Sequence, residues 1–372
     1  MRTHRARSSQ SRRRTVRAGP VAAAVLIVAA VATGASVLAG PATRPPPGAS
    51  CEVQALGTLG GRFGNATAVN RRGTTVGIAD DAKGAAQPVM WLGTTPQRLA
   101  TGLAGSVPHA VNAADQVVGT GIDQAAGSPA GWVWSHGRAT RLPAVEDRVA
   151  SPEAINDRGV IAGALAPDEG GPAEARSKVP GENDHEWAAR WSSASSRPVV
   201  LTPLPGDQGA HAFAVDGAGR AGGVSQGTSF TPVVWEASGK ARALATLGGG
   251  YGVVRGFGAA GVAVGDAVRA DGADHPVMWD AAGRITDLGL PPGARSAKAE
   301  AILPNGVIFG TAELLVGGGT RTQAMQWTAP NATRVLPSAT GAAANDGGST
   351  TVVGYRADGA GGRHPARWRC GR

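Results

Sequence analysis

Leu56-Gly57-Thr58-Leu59-Gly60-Gly61, followed by Ala68-Val69-Asn70, Val76-Gly77 and Val89-Met90-Trp91, is the stretch whose reading decides the fold. Its four pieces are a leucine strand, an Ala-Val-Asn-like strand, a Val-Gly strand and a strand ending in tryptophan. They recur seven times between Leu56 and Trp368. The closing tryptophans stand at Trp91, Trp134, Trp191, Trp235, Trp279, Trp327 and Trp368, with spacings of 43, 57, 44, 44, 48 and 41. A period of about 46 residues with four strand-like segments is the mark of a β-propeller blade. The expectation is an all-β chain, a seven-bladed β-propeller of four-stranded blades.

The punctuation fits. The tryptophan-to-leucine interval is 8, 8, 10, 9, 9 and 9 residues, ending at Leu99, Leu142, Leu201, Leu244, Leu288 and Leu336. So narrow a range implies a hairpin of fixed geometry. Asn70-Arg71-Arg72-Gly73, Asn156-Asp157-Arg158-Gly159 and Asp216-Gly217-Ala218-Gly219 place Asn or Asp first and Gly fourth, as a type I turn prefers. The strand after that turn ends in Gly, as in Val76-Gly77, Val118-Gly119 and Val264-Gly265, and each repeat then enters its longest and most variable loop.

Only two cysteines exist, Cys51 and Cys370, and they bracket the repeats. In an exported chain such a pair reads as a disulfide. Counted through that bridge, Trp368 to Leu56 is 8 steps, within the range of every other repeat. The bridge would replace the hairpin turn of a last blade whose outer strand comes from the N-terminus and whose other three come from the C-terminus. Two unpaired thiols are the bland alternative.

The 57 glycines and 25 prolines punctuate turns rather than mark low complexity. The net charge of +9 suggests nucleic acid until it is located: Arg2, Arg5, Arg7, Arg12, Arg13, Arg14 and Arg17 precede any acidic residue. No nucleic-acid partner is expected. That basic run, the apolar stretch from Val21 to about Leu38 and a Pro-rich segment have the layout of an export signal. Residues 1–39 are read as a signal peptide or signal anchor, 40–50 as a linker and 51–372 as the propeller. The apolar stretch is close to the roughly 20 residues a membrane span needs, so cleavage after Ala39 and a retained anchor both stay open. Export by the general or the twin-arginine route stays open too. Cys51 is a poor lipidation site, with Gly48 where leucine belongs.

The string from Leu56 to Trp91 resembles the bacterial extracellular repeats called the HAF family, and Ala245-Thr246-Leu247-Gly248-Gly249 and Thr286-Asp287-Leu288-Gly289 repeat the likeness over essentially all of 51–370. The chain departs by placing Pro-Val-Met-Trp or kin where His-Ala-Phe is usual. Its one His211-Ala212-Phe213 falls in a different strand and reads as coincidence. The resemblance implies an exported, propeller-like repeat protein with no known activity or ligand.

Chemical motifs are sparse. Gly223-Val224-Ser225-Gln226-Gly227 matches the nucleophile-elbow string but lacks the helix that motif requires. His185-Glu186 opens a zinc-protease motif, yet Ala189 stands where the second histidine must be. His275 and His364 share one repeat position before Pro, which argues for a structural role. Asn65-Ala66-Thr67 and Asn331-Ala332-Thr333 are glycosylation sequons, of little weight given the bacterial source that the resemblance implies.

Loop chemistry is left. With the Asn-containing strand innermost, the variable loops near 78–87, 120–130, 164–187, 224–231, 266–275, 311–323 and 355–364 share a face with the Leu-Gly-Gly crossings. Asp80, Asp123, Asp168, Asp266 and Asp358 mark that candidate binding face, and the largest loop adds Glu169, Glu174, Glu182 and Asp184. A ring of carboxylates could hold calcium; solvated acidic loops are the plainer account, and no cofactor is expected. The expected function is a non-enzymatic, extracellular binding or structural module, a monomer whose partner is a cell-wall or extracellular polysaccharide or a protein. Membrane contact is expected only through the N-terminal segment, whether the protein is secreted or anchored with the repeats outside. The alternatives are a glycan hydrolase or lyase using carboxylates in the propeller mouth, and the ectodomain of a membrane-anchored sensor. N-terminal sequencing of the protein recovered from cells is expected to start at residue 40 if the signal is cleaved, and the full N-terminal segment would establish the anchor instead.

Overall fold

The computed structural model describes residues 51–145, 147–168, 185–336, 345–346, 350–358 and 362–370. The signal segment, the linker and most of the largest acidic loop therefore lie outside the described residues. Twenty-eight strands and one short 3-10 turn, Ala259–Gly261, make up the described elements.

In the first sheet, Gly60–Val69, Thr75–Asp81, Ala86–Trp91 and Pro96–Arg98 pair antiparallel in chain order. The same four-stranded meander follows over 104–141, 148–200, 209–243, 248–287 and 294–335. A last sheet joins Asn345–Asp346, Thr350–Ala357 and Arg363–Cys370 to Cys51–Ala55. These sheets, numbered 1 to 7 in this order, are the blades of a β-propeller. The inner strands of blades 1 to 6 lie against one another in succession. The leucine named in each repeat lies just past a short outer strand rather than within it.

Blade 7 shows how the termini close. Trp91, Trp134, Trp235, Trp279 and Trp327 face Pro96, Ala139, Ala241, Ile285 and Thr333 across their hairpins, and the repeat leucine follows three residues later. Trp368 faces Val53, and Leu56 follows three residues later. The Leu56 amide donates to Pro365 O at 2.8 Å, as the Leu99 amide does to Pro88 O at 2.8 Å. The Cys51–Cys370 disulfide, with Cα atoms 4.0 Å apart, stands where the other blades have a turn.

Between blades the recurring residues meet. Leu56 and Trp91 share one buried cluster, as do Leu99 and Trp134, Leu142 and Trp191, and Leu201 and Trp235. Leu244 with Trp279, Leu288 with Trp327 and Leu336 with Trp368 continue the series. In every case the leucine comes from one blade and the tryptophan from the next. Five of these indoles also donate Nε1–H to the carbonyl just after that leucine: Trp91 to Gly57 at 2.9 Å, Trp191 to Pro143 at 2.7 Å, Trp235 to Thr202 at 2.7 Å, Trp279 to Ala245 at 2.8 Å and Trp327 to Gly289 at 3.3 Å. For Trp368 the matching residue, 337, is outside the described set.

In blades 1 to 6 the glycine of the second strand has a steric cause. A Cβ at Gly77, Gly119, Gly163, Gly223, Gly265 or Gly310 would overlap the carbonyl oxygen of Asn65, Val107, Ser151, His211, Val253 or Lys298 on the inner strand. Two residues after each of these carbonyls the inner strand carries a β-bulge. The bulge kinks the strand toward its neighbour, and only glycine leaves room there. At the far end of the inner strand, Asn70, Asn112 and Asn156 cap their own turns through Oδ1. Each donates Nδ2–H to the next turn: to Asn112 O at 2.7 Å, Asn156 O at 3.0 Å and Asp216 O at 2.7 Å.

Replacing both cysteines, Cys51→Ser with Cys370→Ser, is expected to remove about 2–4 kcal/mol of stability, read as a lower urea midpoint with a steeper slope, because the unlinked denatured chain exposes more surface. An unchanged midpoint would show that the outer strand holds blade 7 closed without the bridge.

Candidate functional site

The six bulges present one residue each: Thr67, His109, Glu153, Phe213, Arg255 and Glu300. All sit three residues before the turn position occupied by Asn70, Asn112, Asn156, Asp216, Gly258 and Leu303. Their surroundings repeat, whereas only glutamate occurs twice among the six. All six are half-buried on the inner strands, which lie against one another in succession, and a bulge re-aims each side chain out of the ladder.

Across blades 1 to 4 these side chains reach the next inner strand. Thr67 Oγ1 donates to Pro108 O at 2.8 Å, and His109 Nδ1–H donates to Pro152 O at 2.8 Å. His109 Nδ1 also stands 3.5 Å from Glu153 Oε2. His211, 8% exposed, lies between two carboxylates, with Nδ1 2.7 Å from Glu186 Oε2 and Nε2 3.6 Å from Glu153 Oε1. Its ring stacks on Phe213 at 4.1 Å between centroids. Burial alone would lower the His211 pKa, but Glu153 and Glu186 override it and raise it to about 9. Burial would likewise raise Glu153, and His211 with the His109 charge holds it below its ordinary value.

A second group spans blades 5 and 6. Asp266, fully buried, pairs with the Arg255 guanidinium and keeps it protonated against the effect of burial. Burial and then the Asp266 charge push Asp274 up to about 6, and Asp274 Oδ1 is buried without a hydrogen-bond partner. Tyr251 is pushed up to about 12, first by burial and then by Asp266. Burial raises Glu300, which accepts a bond from Thr311 Oγ1 at 2.9 Å. Buried carboxyls of unequal pKa beside a fixed cation can accept hydrogen bonds from a ligand or hold a proton.

Of the five aspartates expected on the binding face, only Asp266 belongs to this centre. Asp80, Asp123, Asp168 and Asp358 lie at the ends of second strands in blades 1, 2, 3 and 7. Asp80 is raised by burial and then by Asp81. Asp123 caps the amides of Ala125 and Ala126 and pairs with Arg141. The Asp168 amide donates to Asp147 O at 3.1 Å, and Asp358 accepts from the Gly362 amide at 2.6 Å and faces His364 Nε2 at 2.8 Å. Among the described residues, no group of three or more His, Cys, Asp or Glu is arranged to hold a metal.

The Leu59 amide donates to Asp80 O at 3.0 Å, and Gly248 pairs with Arg269, so two of the Leu-Gly-Gly crossings lie against variable loops. Ser225 is fully buried and donates to Asp207 Oδ2 at 2.6 Å, a structural role. His275 bonds Asp287 at 3.0 Å. His211 and Phe213, read from sequence as coincidence, belong to the centre. The missed signal was the residue just before Ala-Val-Asn, which is the one that does not recur.

The blade 1–2 seam is irregular. Trp134 makes no indole bond among the described residues, and Trp132 Nε1 is buried without a partner. A groove of about 590 Å³ opens there beside Arg98, Ala100, Thr101 and Gln124.

No family model and no curated protein sequence matches the chain, so the HAF likeness stands on its motifs. Solved structures do resemble it. An acylaminoacyl peptidase bound to Z-Gly-Gly-Phe-chloromethyl ketone gives a TM-score of 0.51 at 10% identity, covering 82% of this chain and 51% of that one. The chain thus spans about half that peptidase's length. The lectin SapL1 in complex with alpha methyl fucoside gives 0.43 at 14% identity, with 76% and 99% covered. The β-propeller domain of the Trilobed protease from Pyrococcus furiosus gives 0.40 at 9% identity, with 74% and 95% covered. At such identities the likeness concerns the fold alone.

His211 supplies a pH test. Its folded pKa of about 9 lies above the ordinary 6.5, so its contribution to stability is complete below about pH 6.5 and lost as pH rises through about 9. Urea midpoints of the wild type and of His211→Gln are expected to differ most at about pH 6.5 and to converge by about pH 10. A gap independent of pH would mean His211 acts by packing on Phe213 alone.

Proposed function

We propose that the protein is a non-enzymatic binding module, an exported β-propeller that engages a cell-wall or extracellular polysaccharide or a protein on its variable-loop face. One observation carries this reading: a repeating scaffold holds Thr67, His109, Glu153, Phe213, Arg255 and Glu300 at equivalent bulges while letting their chemistry differ. Packing would select one residue type six times. Five residue types of different polarity over six equivalent positions fit recognition of an asymmetric ligand on a rigid frame. The disulfide supports an oxidising compartment. Among the described residues no helix is long and apolar enough to cross a membrane, and any membrane contact is assigned to the N-terminal segment. With nine of the 36 basic residues outside 51–370, the remaining 27 equal the 27 acidic ones, which argues against a nucleic-acid partner.

A hydrolase or lyase is the second reading, favoured by Asp274, whose carboxyl near 6 beside Asp266 offers an acid of the kind glycan cleavage uses. Release of reducing ends that disappears in Asp274→Asn would establish it.

The deciding experiment is titration of the purified full chain with polysaccharides, peptides and calcium, followed by amide exchange on any saturating complex. Slowed exchange is expected in the inner strands and in the loops 78–87, 120–130, 224–231, 266–275 and 311–323. Protection confined to the opposite edge, at the Asn70, Asn112, Asn156 and Asp216 turns, would overturn the assignment of the face.

A further inference from the structure

Two seams differ from the rest. Only between blades 7 and 1 and between blades 4 and 5 does a parallel bridge link the third strand of one described blade to the inner strand of the next: Phe63 with Arg363, and Tyr251 with Phe230. The positions are equivalent in the repeat. Phe63 and Tyr251 each lie four residues before a bulge residue, and Arg363 and Phe230 each lie two before a proline.

The same short sequence builds both. Leu59-Gly60-Gly61-Arg62-Phe63-Gly64 and Leu247-Gly248-Gly249-Gly250-Tyr251-Gly252 place an aromatic residue before a glycine. A Cβ on Gly64 would press on Pro365 at 2.9 Å, and one on Gly252 on Pro232 at 3.1 Å. The glycine lets the inner strand close onto the proline of the preceding blade, and the aromatic ring is thereby laid over the seam on the variable-loop face.

What the rings do there is not core packing. Phe63 is 46% exposed and Phe230 is 45% exposed. The whole chain has five phenylalanines and two tyrosines; Phe230 and Tyr251 meet at one seam, and at the other Phe63 is bridged to Arg363, which covers Tyr355. Arg363 lies over the Tyr355 ring at 4.8 Å, and Phe230 and Tyr251 are tilted at 5.8 Å. Beside the second pair stand the Asp274 carboxyl, the Arg255 guanidinium and half-buried Lys298. The Asp80 carboxyl accepts a bond from the Phe63 backbone at the first.

We infer that these are two saccharide seats, each taking one pyranose ring of a neutral polysaccharide with its C–H face against an exposed phenylalanine, Phe63 of the inner strand at one seam and Phe230 of the preceding blade's third strand at the other. This rests on the binding-module reading and names its ligand class. An exposed aromatic face offers a sugar an apolar platform, while guanidinium, phenol and carboxyl groups at its edge match the donors and acceptors of the ring hydroxyls. The balance of 27 basic and 27 acidic residues over 51–370 favours a neutral chain over a charged one. A peptide added along a sheet edge needs a free strand, and at both seams the inner strand is already bridged.

Calorimetric titration of the full chain with hexaoses of glucose, galactose, mannose and N-acetylglucosamine tests this. One of them is expected to bind with a stoichiometry of two. Phe63→Ala and Phe230→Ala should each lower it to one, and the double variant should abolish binding while circular dichroism still shows a folded chain, since both rings lie outside the buried clusters. Leu92→Ala, removing an exposed leucine that belongs to neither seat, should retain two. Full binding by the double variant, failure of every hexaose, or binding of a proline-rich peptide lost in the same variants would each overturn the inference. Hexaose binding lost only on substitution of Thr67 or Glu300 would leave the binding-module reading standing and end the two-seat one.

Discussion

The contact on which the rest depends is a leucine of one blade packed against the tryptophan of the next. Every seam has it, from Leu56 with Trp91 to Leu336 with Trp368. The tryptophans of blades 1 and 3 to 7 have no measurable exposure, and truncating such a residue typically costs about 3–5 kcal/mol. Since each half of the contact belongs to a different blade, a single blade has nothing on which to bury its tryptophan. Stability is a property of neighbours, as in other repeat architectures, and the two end blades gain neighbours on both sides only when the termini meet. The Cys51–Cys370 link serves that need.

A second constraint couples the frame to its centre. The bulge in the inner strands of blades 1 to 6 drives a carbonyl against the second strand, and the glycine there accepts it. The side chain at the bulge is thereby released from the ladder and is free to differ. Framework and variable position are two sides of one distortion, which is why the repeat can be strict while Thr67, Glu153 and Arg255 have nothing in common.

Legibility in the sequence follows from that division. Leucine, tryptophan, glycine and the turn asparagines recur because each solves a packing or backbone problem met in every blade, so the phase of the ring and the terminal strand exchange could be counted out before any coordinates. The central residues could not be found by recurrence, since not recurring is what distinguishes them. His211-Ala212-Phe213 illustrates the difficulty: its importance lies in Glu153 and Glu186, which are 58 and 25 positions away in the chain and meet it only after folding. The aspartates were visible as loop residues, but whether a carboxylate caps its own loop, as Asp123 does, or pairs with a buried arginine on the adjacent strand, as Asp266 does, depends on register that composition does not carry.

The exchange of strands between the termini also has a temporal side. Cys51 and Cys370 are 319 positions apart, so the first strand to be synthesised is the last to find its partner. Until the final repeat emerges, Cys51–Ala55 has no sheet to join and Leu56 has only half of its surroundings. Contacts of such sequence separation slow folding and lengthen the life of open intermediates. The outer strand of blade 7 is accordingly short and half-exposed, with a burial pattern that leaves Glu52, Val53 and Ala55 on the surface. A segment that must wait unpaired is safer when it carries a charge and little apolar area.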